Sequence, residues 1–157
     1  MSTLQQHRAA IVAALASVPD IGVVHDRERY AKDNARFAQL YLFTPAGGQQ
    51  QLRGWWVRRS ATLEKSPNVA RTINEHTWTL RGYLAFDDAG AGELVMDDLV
   101  EQFRAVVRAD PTLGGVCQPG PLDEEEDGVQ VTDAGAVLFA GVMCHSVVLQ
   151  LKTWSYL

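Results

Sequence analysis

Between His76 and Phe86 apolar and polar residues alternate, with Trp78, Leu80, Leu84 and Phe86 on one side and Thr77, Thr79, Arg81 and Tyr83 on the other. A period of two predicts a β-strand. Past Asp87 and Asp88, either of which offers a carboxylate to cap a helix, the period lengthens. From Gly92 to Ala109 the residues Val95, Met96, Leu99, Val100, Phe103, Val106 and Val107 recur at helical spacing, while Glu93, Asp97, Glu101, Arg104 and Arg108 point elsewhere. Acids early and arginines late suit the helix dipole. Asp110-Pro111 stops the helix and Leu113-Gly114-Gly115 turns the chain. One helix stripe packed on one strand face supplies the core.

The flanking segments read as follows. Leu4–Ser17 is an amphipathic helix with Leu4, Ile11, Val12 and Leu15 on one face, ended by Val18-Pro19. Ile21–Val24 is a short strand or the bend before one, and Arg27–Asp33 a polar helical turn. Phe37–Phe43 alternates as a strand, Thr44-Pro45-Ala46-Gly47-Gly48 is a turn, and Gln51–Leu63 returns, so residues 37–63 read as a hairpin. Ser66-Pro67-Asn68 begins a polar connection. Val116–Pro119 is a short strand, and Asp133-Ala134-Gly135 is a turn between strands Val129–Thr132 and Ala136–Phe139. Val142–Trp154 is a long strand with Val147, Leu149 and Leu151 inward. The expected class is α+β: a single domain over residues 1–157, mostly antiparallel sheet, with helices packed on one face.

Composition narrows the function more than the fold. At 46% hydrophobic and 21% charged, the 157 residues suit a globular chain, neither disordered nor membrane-embedded. A net charge of −5 argues against a phosphate backbone as the main partner, which demands concentrated positive charge. Cys117 and Cys144 stand alone, as cysteines do in a reducing compartment, and the N-terminal apolar stretch follows Gln5, Gln6, His7 and Arg8, which predicts neither signal peptide nor membrane span.

Candidate chemistry is sparse. Gly90-Ala91-Gly92 opens a helix after a strand, but a dinucleotide turn needs a third glycine where Val95 stands, and Asp87, Asp88 and Glu93 put negative charge where phosphate must sit. No cofactor is expected. His7, His25, His76 and His145 show no metal-ligand spacing, and Cys144 and His145 are strand neighbours on opposite faces. No Gly-x-Ser-x-Gly elbow surrounds a serine and no cysteine–histidine pair is evident, so no catalytic residue is assigned; acid–base chemistry stays open, though no residue pattern promotes it. Arg53-Gly54-Trp55-Trp56-Val57-Arg58-Arg59 is the most unusual stretch. Adjacent strand tryptophans face opposite ways, so both cannot enter one core. Trp55, Arg58 and Arg59 are therefore interface candidates; the same residues also fit a single-stranded nucleic-acid surface, or a second tryptophan packed under a loop. Asp123, Glu124, Glu125, Glu126 and Asp127 form a solvated acidic loop; in a ring of copies it would face a lumen or a partner and repel passing DNA.

Three stretches in order, His76-Thr77-Trp78-Thr79-Leu80-Arg81-Gly82-Tyr83, Ala109-Asp110-Pro111-Thr112-Leu113-Gly114-Gly115 and Phe139-Ala140-Gly141-Val142-Met143-Cys144-His145, resemble the small tail terminator (tail completion) proteins of long-tailed bacteriophages. The resemblance spans residues 22–154 and lies in the order and spacing of elements, not in any chemical signature. It implies an α+β subunit of a homo-oligomeric, usually hexameric, ring that caps the tail tube protein, stops its polymerisation and offers the head–tail connector protein a joining surface. It also implies assembly in the host bacterial cytoplasm, a place in the virion tail or neck, DNA passing without specific binding, and no catalysis, cofactor or membrane. Six copies at −5 would carry about −30, which favours sliding DNA. A neck connector would look similar in sequence. A small ligand-binding or enzymatic domain, with a pocket near His76 or His145, is the reading from another class.

Overall fold

The computed structural model describes residues 2–121 and 126–157. Helix α1 (Thr3–Ala16) is followed by strand β1 (Val23–His25), the short helix α2 (Asn34–Gln39) and strand β2 (Leu42–Phe43). A long pair, β3 (Gln51–Asn68) and β4 (Arg71–Ala85), leads to helix α3 (Gly92–Ala109), and β5 (Gln130–Phe139) and β6 (Val142–Tyr156) complete the chain. The sheet runs β1-β3-β4-β6-β5, with β2 also on β3; every pairing is antiparallel except β1 with β3. The α+β class and the mostly antiparallel sheet are as the sequence predicts.

The central strand and helix also follow the pattern. Trp78, Leu80 and Leu84 of β4 meet Trp55 and Val57 of β3 and Val147, Leu149 and Leu151 of β6 on one face. Over that face lie Ile11 and Leu15 of α1 and Met96, Leu99, Val100, Phe103 and Val107 of α3. At about 25 cal/mol per Å² of apolar surface, this is the main stabilising term. The opposite face holds a second, smaller core: Tyr41, Leu52, Trp56, Tyr83 and Cys144, with Phe37 and Phe139 packed against it. Tyr83 and Phe139 stack with ring centroids 3.6 Å apart. Because Phe37 comes from α2, the helices do not share one face as expected: α1 and α3 cover one side, α2 the other.

Several local expectations are corrected. Phe37–Phe43 is not one strand. Asp33 accepts the Arg36 amide at 2.8 Å and starts α2, leaving only Leu42–Phe43 to pair with Gln51–Leu52, so the hairpin is shorter than residues 37–63. Residues 27–33 form no helical turn, and the short strand lies at Val23–His25. Residues 66–68 belong to β3, the turn falling after them. Asp133-Ala134-Gly135 is no turn: β5 runs through it with a bulge between Val131 and Asp133. The turn is Ala140-Gly141, both at positive φ (51° and 78°), which suits a two-residue hairpin loop between twisted strands. Val116–Pro119 shrinks to a bridge between Gln118 and Trp154. Neither Asp87 nor Asp88 caps α3. Ala91 occupies the cap position at φ 53°, and the Asp87 carboxylate accepts the Gly90 amide at 2.9 Å instead.

Candidate functional site

The tryptophan–arginine stretch divides between interior and surface. Trp55 is 1% exposed, and its indole donates to the Ile21 carbonyl at 3.0 Å. It lies under Gly82, where an added Cβ would sit 2.6 Å from the ring. Trp56 enters the second core and donates to the Tyr83 hydroxyl at 3.4 Å. The tryptophans do face opposite ways, but each has a core to enter, so Trp55 is not a surface contact. Arg58 and Arg59 do reach solvent. Arg58 stacks its guanidinium 4.9 Å from the Trp56 ring and pairs with Glu28; Arg59 donates to the Thr62 hydroxyl at 3.3 Å. An aromatic platform for nucleic-acid bases is absent from this stretch.

Of the acidic run, Asp123, Glu124 and Glu125 lie outside the described residues. Glu126 and Asp127 are exposed, just before β5. Asp127 accepts its neighbour Gly128's amide at 2.8 Å, and its carbonyl accepts from the Gln130 side chain.

The sequence reading missed a buried polar cluster under α1. Thr153 accepts the Trp78 indole N–H at 2.8 Å and lies 2.8 Å from Nδ1 of His7, which is wholly buried. The His7 and His76 rings meet edge to face at 5.5 Å, and His76 Nδ1 lies 2.9 Å from the Thr62 hydroxyl. His7 Nε2 is buried without a hydrogen-bond partner. Burial, and then the neighbouring His76, lower the His7 pKa; burial, and then Arg59, lower that of His76. Both rings therefore favour the neutral form. The helical period around Leu4, Ile11 and Leu15 places residue 7 on the inward face, so position 7 was findable; its partner 146 residues away was not.

Glu75 is a buried carboxyl group, and burial alone would raise its pKa. Lys65 at 2.8 Å, helped by Lys152 at 3.8 Å, outweighs that and lowers it. Cys117 and Cys144 are both buried, and desolvation pushes each thiol up to about 11, so neither carries the thiolate that nucleophilic chemistry needs.

Two of the concave regions lie beside α3. A cleft of about 790 Å³ is lined by Asp20, Arg53, Asp87, Asp98 and several glutamines; buried Arg53 donates to the Asp20 carbonyl at 2.9 Å. Three carboxylates line the cleft along with the one guanidinium, which disfavours an anionic ligand. A second groove, of about 550 Å³, runs between α3 and β5. Phe86, Met96, Val100 and Val131 line it, with Glu93, Asp97 and Glu101 also along it. Phe86 and Val131 are each 47% exposed, and beyond them Leu138 is 69% exposed. Among the described residues no group of three or more histidine, cysteine, aspartate or glutamate side chains is arranged to hold a metal ion, and no helix is long and apolar enough to cross a membrane. No family model and no curated protein matches the chain.

Proposed function

We propose that this chain is a tail terminator of a long-tailed bacteriophage, a structural subunit that closes into a ring, most simply a hexamer, on the end of the tail tube. The ring stops tube polymerisation, presents a joining surface to the head–tail connector, and lets DNA pass without gripping it. The protein acts by assembly and not by catalysis. The order of the three stretches that resemble the family supports this reading.

The observation that carries it is the β3–β4 hairpin. Its residues 61–71 are exposed throughout, and its tip runs past β6, whose last partner on β4 is Ile73. With Val69 fully exposed on the two-stranded tip, and Leu63 54% exposed on β3 where the sheet is already three strands wide, this end of the hairpin buries little against its own domain, and contacts with other subunits would stabilise it. The acidic net charge supports passage of DNA.

Deleting the gene from its phage should leave tails of uncontrolled length that fail to join heads, seen by electron microscopy, and complementation should restore uniform tails. Tails of normal length, joined to heads, would sink the assignment.

A further inference from the structure

We infer that copies of this chain join head to tail by strand pairing, the outer edge of β5 on one copy taking the outer edge of β3 on the next. The inference rests on the ring reading above and says how the ring is built.

One end of the sheet is β5; at the other, the three-residue β1 and the two-residue β2 cover only part of β3. β5 is 10 residues long and, among the described residues, pairs only with β6. On β3 the outer side is covered at Gln51–Leu52 by β2 and at Gly54–Trp56 by β1, leaving residues 58–66 open ahead of Pro67, which has no backbone N–H to offer. The two open stretches are therefore similar in length. Unpaired backbone donors and acceptors along such edges are templates for another strand. Monomeric proteins blunt their edges with lysine or proline, yet the outer half of β5 reads Asp133-Ala134-Gly135-Ala136-Val137-Leu138, with Leu138 exposed.

Strand direction fits as well. β3, β4, β6 and β5 are successively antiparallel, so β5 against the next copy's β3 is again antiparallel. The alternation continues across the joint, and α1 and α3 stay on the same side of the extended sheet. Such a joint uses two different surfaces and propagates, closing into a ring where its rotation allows.

Charge selects this pairing over its rivals. Residues 126–139 carry three carboxylates, Glu126, Asp127 and Asp133, and no lysine or arginine. Residues 58–71 carry four cations, Arg58, Arg59, Lys65 and Arg71, against Glu64; Arg58 and Lys65 already pair with Glu28 and Glu75, so Arg59 and Arg71 carry the contrast. Two β5 edges set against each other would oppose acids to acids, and two β3 edges bases to bases; only β5 against β3 is complementary.

The test is a charge exchange read by light scattering across a concentration series. Asp127→Lys with Asp133→Lys makes the β5 edge basic; Arg59→Glu on β3 with Arg71→Glu, at the β4 side of the hairpin tip, makes that end of the hairpin acidic. All four side chains are exposed, so each variant should fold, which circular dichroism checks. The wild-type chain should assemble, and each variant should need about tenfold more protein or greater to do so. An equimolar mixture of the two variants should regain assembly, because every joint then becomes complementary again. Assembly lost in only one variant would indicate a two-fold contact and overturn the proposal, as would full assembly in both, or failure of the mixture. A wild-type chain that stays monomeric throughout would overturn it too. The gene deletion scores the terminator role separately, so a chain with the tail phenotype and unaffected edge variants would keep the function and lose this joint.

Discussion

His7 shows how one side chain ties distant parts of the chain together. It reaches Thr153 and His76 from the first helix, and its buried Nε2 has no partner to stabilise a second proton. Both histidines have folded-state pKa values below the ordinary 6.5. The unfolded chain therefore binds protons first as pH falls. Their contribution is intact above pH 6.5 and is lost progressively below it, as pH descends toward the depressed folded values. Urea midpoints should fall between pH 7 and 5 in the wild type, and His7→Gln should flatten that slope even if it lowers the midpoint at pH 7. An unchanged slope would show that the ring does not titrate as its surroundings imply. The sequence marks position 7 as inward-facing but says nothing of a polar partner, since residue spacing carries no information about which side chains meet across a sheet.

Among elements, those with a long and regular period were legible and those decided by a single cap or turn were not. Residues 76–85 and 92–109 satisfy one period over several turns, and no local effect competes. Residues 37–43 alternate just as cleanly, but Asp33 supplies a helix start and Ala35, Ala38 and Gln39 favour a helix, so the local cap wins. Asp33→Ala should therefore cost about 1 kcal/mol in a denaturant titration. A null effect would mean that packing of Phe37 on Phe139 alone, at a 4.9 Å ring separation, holds α2 in place. The Asp133-Ala134-Gly135 signal misleads for a related reason. A glycine in a strand and a glycine in a turn look alike in sequence, and only the register with Ser146–Val148 separates them. Of the candidate surface, the arginines were legible and the open strand edges were not, because an edge is defined by the neighbour it lacks.

At the scale of the whole molecule the charges sort by position rather than by number. The −5 total conceals a basic arm at one end of the sheet and acids beside the strand at the other, a polarity that suits a subunit with unlike ends. The sheet also separates two cores that share its strands. Trp55 and Trp56 are joined by a single peptide bond and lie in different cores, as do Leu84 and Tyr83 on β4. Neither core can melt without moving the strand that carries the other, so the chain should come apart as one cooperative unit despite its two apolar layers. Tryptophan emission and far-UV dichroism, followed together in urea, should trace a single shared transition. Two separated transitions would mean that the small core and α2 open on their own, exposing Trp56 while Trp55 stays dry.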